Sequence, residues 1–194
     1  MSPPLARTNE EAHLYMQMHP CACGATDFGA SSSVALVEDA WVCRYEGRCA
    51  GCGRPRGFEF RQPDEIAMAE GDAWAPGGQP SQLIDAGEWL AVADTYGGHP
   101  ADLTGLSEVE VQQLARDLRA AAAAVDEVLK FLPAGAPAVP ETAFWSYRGQ
   151  RVWRSEPGRF GRIRLEAARE AYRRLAAQLP AGGVPAGDGK GEQA

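Results

Sequence analysis

"HPCACG" at residues 19–24 and "RCAGCG" at residues 48–53 decide how this chain is read. Each holds two cysteines, Cys21 with Cys23 and Cys49 with Cys52, and each ends in a glycine. Glycine allows the positive φ of a tight turn, which lets backbone N–H groups face a sulfur. Twenty-five residues separate the pairs, enough for a hairpin that would return the second pair to the first. Four thiolates on two such turns form the donor set of a tetrahedral metal site.

Other readings of the cysteines explain less. Cys49-x-x-Cys52 alone has the form of a redox dithiol, but that leaves Cys21 and Cys23 without a role. Such a motif also usually opens a helix, and here "GRPRGFEF" leads into a strand. Buried small hydrophobes would not account for two glycine-terminated pairs. Cys43 is left over, on a strand where alternation groups it with Trp41 and Tyr45; a buried free thiol is expected there. His19, two residues before Cys21, is an alternative ligand or a ring stacked beside the site.

Between and after the cysteines the pattern is β. "SSSVALVE" and "AWVCRYEG" flank Glu38-Asp39 and read as a hairpin, and "GFEFRQ" (57–62) alternates as a third strand. Knuckle, hairpin, knuckle and returning strand together resemble a zinc ribbon over residues 19–62. The first knuckle departs from the usual pattern, being C-x-C rather than C-x-x-C. The resemblance implies a four-cysteine site holding Zn2+ through Cys21, Cys23, Cys49 and Cys52. Iron in a rubredoxin-like site uses the same ligands and stays open. With all four positions filled by protein, the site would be structural and would help fold a sheet with little core of its own.

The rest of the chain reads as helix. Thr8 and Glu11 fit a capping box for a short helix over 9–18. "PDEIAMAE" (63–70) is a further short helix, and 72–82 is a loop. Asp85 with Glu88 and Ser107 with Glu110 are two more capping boxes. The second opens the strongest helix, 108–132, with Val111, Leu114, Leu118, Ala121, Val125, Val128 and Leu132 on one face. Gly97 and Gly98 are expected to stop the helix before it. "PAGAPAVP" (133–140) is a linker, Pro140 then leads into "ETAFWSYRGQRVWR", and a last helix spans 160–179. The expected class is α+β: an N-terminal helix and zinc-ribbon sheet (1–62), an α-helical domain (63–180) and a disordered Gly/Pro/Ala-rich tail (181–194).

Composition narrows function. The 194 residues carry a net charge of −7 and only two lysines, Lys130 and Lys190, a bias typical of high-GC bacterial coding. No apolar run is long enough to span a membrane. The acidic start "MSPPLARTNEEAHLYM" is unlike a signal peptide, so a cytoplasmic location is expected. Charge is uneven: 63–127 holds thirteen acids against Arg116 and Arg119, while 145–175 holds nine arginines against three glutamates. These segments either pair internally or meet a charged partner.

No catalytic constellation is present. G-x-S-x-G, a P-loop and G-x-G-x-x-G are absent, and His13 and His99 are isolated. The acids at 108, 110, 117, 126 and 127 are expected to be solvated. Within 144–164, Phe144, Trp145, Tyr147, Trp153 and Phe160 interleave with arginines. Arg148, Arg151, Arg154 and Arg162 could hold phosphates beside stacked bases; alternatively the tryptophans are core and the arginines pair with the acidic middle. The leading expectation is a non-enzymatic protein-interaction module (adaptor, inhibitor or immunity-like accessory protein). Its partner would be a protein, and a basic one if the acidic middle is the dock. A nucleic-acid-associated regulator is the alternative.

Overall fold

The computed structural model describes residues 2–64, 74–98 and 105–179. The expected helix at 63–70, His99 and the tail at 181–194 fall largely or wholly outside them. The element order confirms the α+β class: a helix, a three-stranded antiparallel sheet, then helices.

Helix α1 (Asn9–Met18) starts at Thr8, whose Oγ1 accepts from the Glu11 N–H. The expected capping box is only half formed. The Glu11 carboxylate accepts from the Arg7 N–H at 2.8 Å and from the Arg7 guanidinium instead. A fully buried carboxylate needs a cation, and Arg7 supplies it.

Strands β1 (Ser31–Val37), β2 (Ala40–Arg48) and β3 (Pro55–Arg61) follow in the order β1-β2-β3. The hairpin turns on Glu38 and Asp39, both at positive φ (47° and 65°), as a two-residue turn compatible with strand twist requires. Register pairs Leu36 with Trp41, Val34 with Cys43, Cys43 with Phe60 and Tyr45 with Phe58, so these side chains share one face. Helix α1 lies on that face: Tyr15 meets Phe58 and Phe60 edge-on, and His13 meets Tyr45. The outer edge of β3 is met at its last residue, Arg61, by residues 4–6, where the Ala6 N–H donates to the Arg61 carbonyl at 3.0 Å.

Helices α2 (Ala86–Gly97) and α3 (Glu108–Leu129) open with complete capping boxes at Asp85/Glu88 and Ser107/Glu110. Helix α3 ends at Leu129 rather than 132, because residues 131 and 132 tighten into i→i−3 bonds before Pro133. The stretch expected to run as one helix from Pro140 is broken. A single 3₁₀ turn (Glu141–Ala143) precedes α4 (Tyr147–Ser155). Ser146 sets the restart: its hydroxyl accepts from the Gly149 N–H, and its own N–H donates to Asp85 Oδ2 at 2.8 Å. After a second 3₁₀ turn (Pro157–Phe160), α5 runs over Arg162–Gln178. Its inner face holds Leu165 and Ala176, while Leu175 is exposed.

Helices α2 and α4 cross at Gly87 and Gly149. A β-carbon on Gly87 would strike the Gly149 backbone, and one on Gly149 would strike the Asp85 carboxylate. Trp89, Ile84, Leu118, Val125, Val128, Leu165 and Phe160 fill the helical core. Glu127 corrects the expectation of a solvated acid: it is fully buried. Arg7 Nη2 lies 2.9 Å from its Oε2, and Lys130 Nζ lies 2.7 Å from its Oε1. Periodicity places Glu127 beside Val128 on the inner side. The N-terminal segment, distant in sequence, brings the cation that makes burial tolerable.

Candidate metal centre

The two knuckles are built alike. In the first, the Gly24 N–H donates to the Cys21 carbonyl at 2.7 Å and the Cys21 N–H to the Ala25 carbonyl at 2.9 Å. In the second, the Gly53 N–H donates to the Cys49 carbonyl at 2.8 Å and the Cys49 N–H to the Arg54 carbonyl at 2.9 Å. Gly24 and Gly53 take φ of 90° and 70°, the conformation that L side chains resist. The Ala50 N–H, donating to the Asp27 carbonyl at 3.0 Å, joins one knuckle to the other.

Arginines brace the turns. Arg48 donates to the Gly53 carbonyl at 3.0 Å. Arg56 donates to the Thr26 carbonyl at 2.9 Å and to the His19 carbonyl, with its guanidinium over the Phe28 and Phe58 rings. The site is thereby fixed at the end of the sheet where β2 finishes and β3 begins.

Here the four sulfurs of Cys21, Cys23, Cys49 and Cys52 lie within 4.8 Å of one another. Cys21 Sγ is 3.6 Å from Cys52 Sγ, and Cys23 Sγ is 3.5 Å from Cys49 Sγ. These are far beyond the ~2.05 Å of a disulfide. They approach the ~3.8 Å edge of a tetrahedron whose centre is ~2.3 Å from each sulfur. The arrangement can therefore hold one metal ion and fits a zinc-ribbon-like site.

The thiols are primed unequally. Burial opposes ionisation of Cys49, but hydrogen bonds from the Cys52 and Gly51 N–H groups and from the Cys23 and Cys21 thiols bring it down to about 6. Cys52 accepts from the Arg54 N–H, which favours its thiolate. Its hydrogen bond with Cys21, its burial and the other two sulfurs outweigh that and push it up to about 11. The Cys49 thiolate is thus easier to form than that of Cys52, and a bound cation would compete with protons for the sulfurs.

His19 is not among these ligands. Its Nδ1 is 2.8 Å from the Tyr15 carbonyl and its ring lies on Tyr15. Cys43 is buried in β2, away from the cluster, and raises its neighbour: burial and the hydrogen bond with Cys43 push Tyr45 up to about 12.

The arginines of the 144–164 segment divide into two sets. Arg159 forms a bidentate pair with Asp94, and beyond the segment Arg169 and Arg173 both hold Asp126. Arg162 donates to the carbonyls of Ala136 and Pro133 at 3.1 Å each, so its guanidinium anchors the 133–136 loop. Arg148, Arg151 and Arg154 point outward along α4 with no carboxylate partner among the described residues. Sequence spacing could not separate these sets, since it does not show which arginines meet an acid across the fold. Phe144 and Phe160 are core, Trp153 stacks on Phe144, and Trp145 stays half exposed against Phe131.

No protein-family model, curated protein or solved structure matches the chain. Among the described residues, no helix is long and apolar enough to cross a membrane.

Proposed function

We propose that this protein is a non-enzymatic protein-interaction module whose four-cysteine centre holds a structural Zn2+. Four thiolates complete the coordination of a tetrahedral ion and leave no position for a reacting water. Zinc is preferred to iron because nothing beside the site suggests electron transfer. The centre then serves to fold the sheet, and the sheet serves to present a surface.

The observation that carries this reading is the free end of the hairpin. The apolar face covered by α1 at Tyr45, Phe58 and Phe60 continues beyond the helix as Val34, Leu36 and Trp41, with Leu36 59% and Trp41 53% exposed. All seven residues of β1 are exposed, and none is charged or proline. In a two-residue hairpin of this register, the N–H and C=O groups of Ser32, Val34 and Leu36 face the open edge. Folded proteins normally guard such an edge with charge, proline or a cover, as Pro55, Arg56 and Glu59 of β3 and the segment 4–6 at Arg61 do here. An open, apolar, uncharged edge suits an extended apolar segment of a partner added as a further strand. The expected role is that of an adaptor, inhibitor or immunity-like accessory protein. Since Asp94, Asp126 and Glu127 are neutralised internally, the hairpin is a better dock than the acidic helices.

The test compares tagged wild-type protein with a Leu36→Asp, Trp41→Asp variant in affinity capture from the source cells, followed by stoichiometry of the recovered complex. A one-to-one complex lost in the variant, with metal content and fold unchanged, is the expected result. A complex retained by the variant would move the docking surface elsewhere.

A further inference from the structure

The outward arginines of α4 follow, along the chain, a second feature, an apolar cleft. It has a volume of about 390 Å³ and opens beside Trp145, just before the helix. Its walls include Phe131, Pro133, Pro140 and Trp145, with the indole on the Phe131 ring at 5.9 Å. The cation at its rim, Lys130, is already bonded to Glu127 and to the Ala75 carbonyl. The cleft therefore offers flat apolar surface rather than charge. Arg162 holds one wall in place through the Pro133 carbonyl.

One turn on, charge takes over. Residues 147–155 hold Arg148, Arg151 and Arg154 and no acid. The buried side of α4 is Gly149, flanked by half-buried Val152 and Trp153, which leaves the three arginines and Tyr147 on the solvent side. Tyr147 is 77% exposed, and the Arg151 guanidinium stands 5.9 Å from its ring centroid. A guanidinium held over a ring rather than paired with a carboxylate keeps N–H groups free for a phosphate. Arg159, Arg162, Arg169 and Arg173 are taken up by carboxylates or carbonyls of the fold; these three are kept for solvent in a chain of net charge −7.

We infer that α4 and the Trp145 cleft together form a binding face for single-stranded nucleic acid, with phosphates on Arg148, Arg151 and Arg154 and an unpaired base against Trp145. Aromatic stacking beside a cationic track is how proteins hold single strands with little sequence preference. A duplex keeps its bases stacked internally and cannot fill the cleft without extruding one. The acidic remainder of the protein limits the contact to a few nucleotides. This inference is independent of the hairpin docking surface and of the metal.

Fluorescence anisotropy with labelled oligothymidylate and oligouridylate of ~12 nucleotides, within the span such surfaces occupy, tests it on the full chain. Three phosphate contacts predict a ~20-fold weakening between about 50 and 200 mM salt. The Arg148→Gln, Arg151→Gln, Arg154→Gln variant is expected to lose binding. Trp145→Ala is expected to weaken it about tenfold, the effect of one lost stacking contact. A control with three charges removed elsewhere (Arg44→Gln, Arg116→Gln and Arg174→Gln) should still bind. Absence of binding to either oligonucleotide, equal loss in the control, or equal affinity for duplex of the same length would each overturn the assignment. So would binding to anionic vesicles or a phosphopeptide with no binding to the oligonucleotides.

Discussion

The strands bury Val42, Cys43, Tyr45 and Phe60, and β1 buries nothing. Helices α2 to α5 close instead over Trp89, Leu90, Leu118, Val125, Val128 and Leu165, with a buried ion network at Arg7, Glu11, Glu127 and Lys130. A three-stranded sheet with one thinly covered face is marginal on hydrophobic burial alone, whereas the helices have a core of ordinary kind. The difference teaches where each region would get its stability: the helices from packing, the sheet from the four sulfurs once they hold an ion.

The largest effect should follow from removing the sulfurs. A Cys49→Ser, Cys52→Ser double variant is expected to lose its one metal per chain by elemental analysis and to lose amide-exchange protection across 31–61. Structural zinc contributes ~10 kcal/mol or more to small folds of this type. Most of the far-UV helical signal should remain; if the helices melt with the sheet, the two regions are one cooperative unit and the comparison breaks. Acidification should act in the same direction, because protons compete with the metal for thiolates.

The converse experiment attacks the helices. Glu127→Ala leaves Arg7 and Lys130 facing each other without their shared carboxylate, an expected loss of about 3–5 kcal/mol in urea unfolding. Metal content should be unchanged. Gly149→Ala is next: the added methyl meets the Asp85 carboxylate that caps α2 and receives the Ser146 N–H. A loss of about 2 kcal/mol is expected, seen as a lower melting temperature with the metal retained.

The smallest effect sharpens the electrostatics. Burial, and then the nearby Asp85 carboxylate, raise the Glu88 pKa above its ordinary value. The folded chain therefore holds this proton to higher pH than the unfolded one. The contribution of Glu88 to stability is greatest in acid and declines as pH climbs from the ordinary Glu value through the raised one. Glu88→Gln keeps the acceptor of the capping box and should remove that decline from a pH series of urea melts. An unaltered pH slope would show that another carboxylate is responsible.

Much of this was legible in advance because it rests on local rules. The glycine-terminated cysteine pairs, the Glu38-Asp39 turn, and the Asp85/Glu88 and Ser107/Glu110 boxes all depend on residues within a few positions of each other. What escaped depends on distant partners. Glu127 reads as a surface acid until Arg7 arrives from the N-terminus, more than a hundred residues away. Thr8/Glu11 is the local exception: it reads as a box, but Arg7, the residue before Thr8, takes the carboxylate. Trp41 alternates correctly with Cys43 and Tyr45, yet α1 stops short of it, so it is exposed where they are buried. Gly97 and Gly98 do end α2 as read, but the packing reason for glycine at 97, where a β-carbon would strike the Tyr172 ring, lies across the fold.

Helix α1 touches both regions. Glu11 in its first turn joins Arg7, just before the helix, in the ion network, and at its far end the His19 carbonyl receives Arg56, which braces the first knuckle. Ten residues of helix span ~15 Å. One short helix is thus a neighbour of both the knuckles and Glu127, and amide exchange in α1 with and without added Zn2+ measures how far the two regions are coupled.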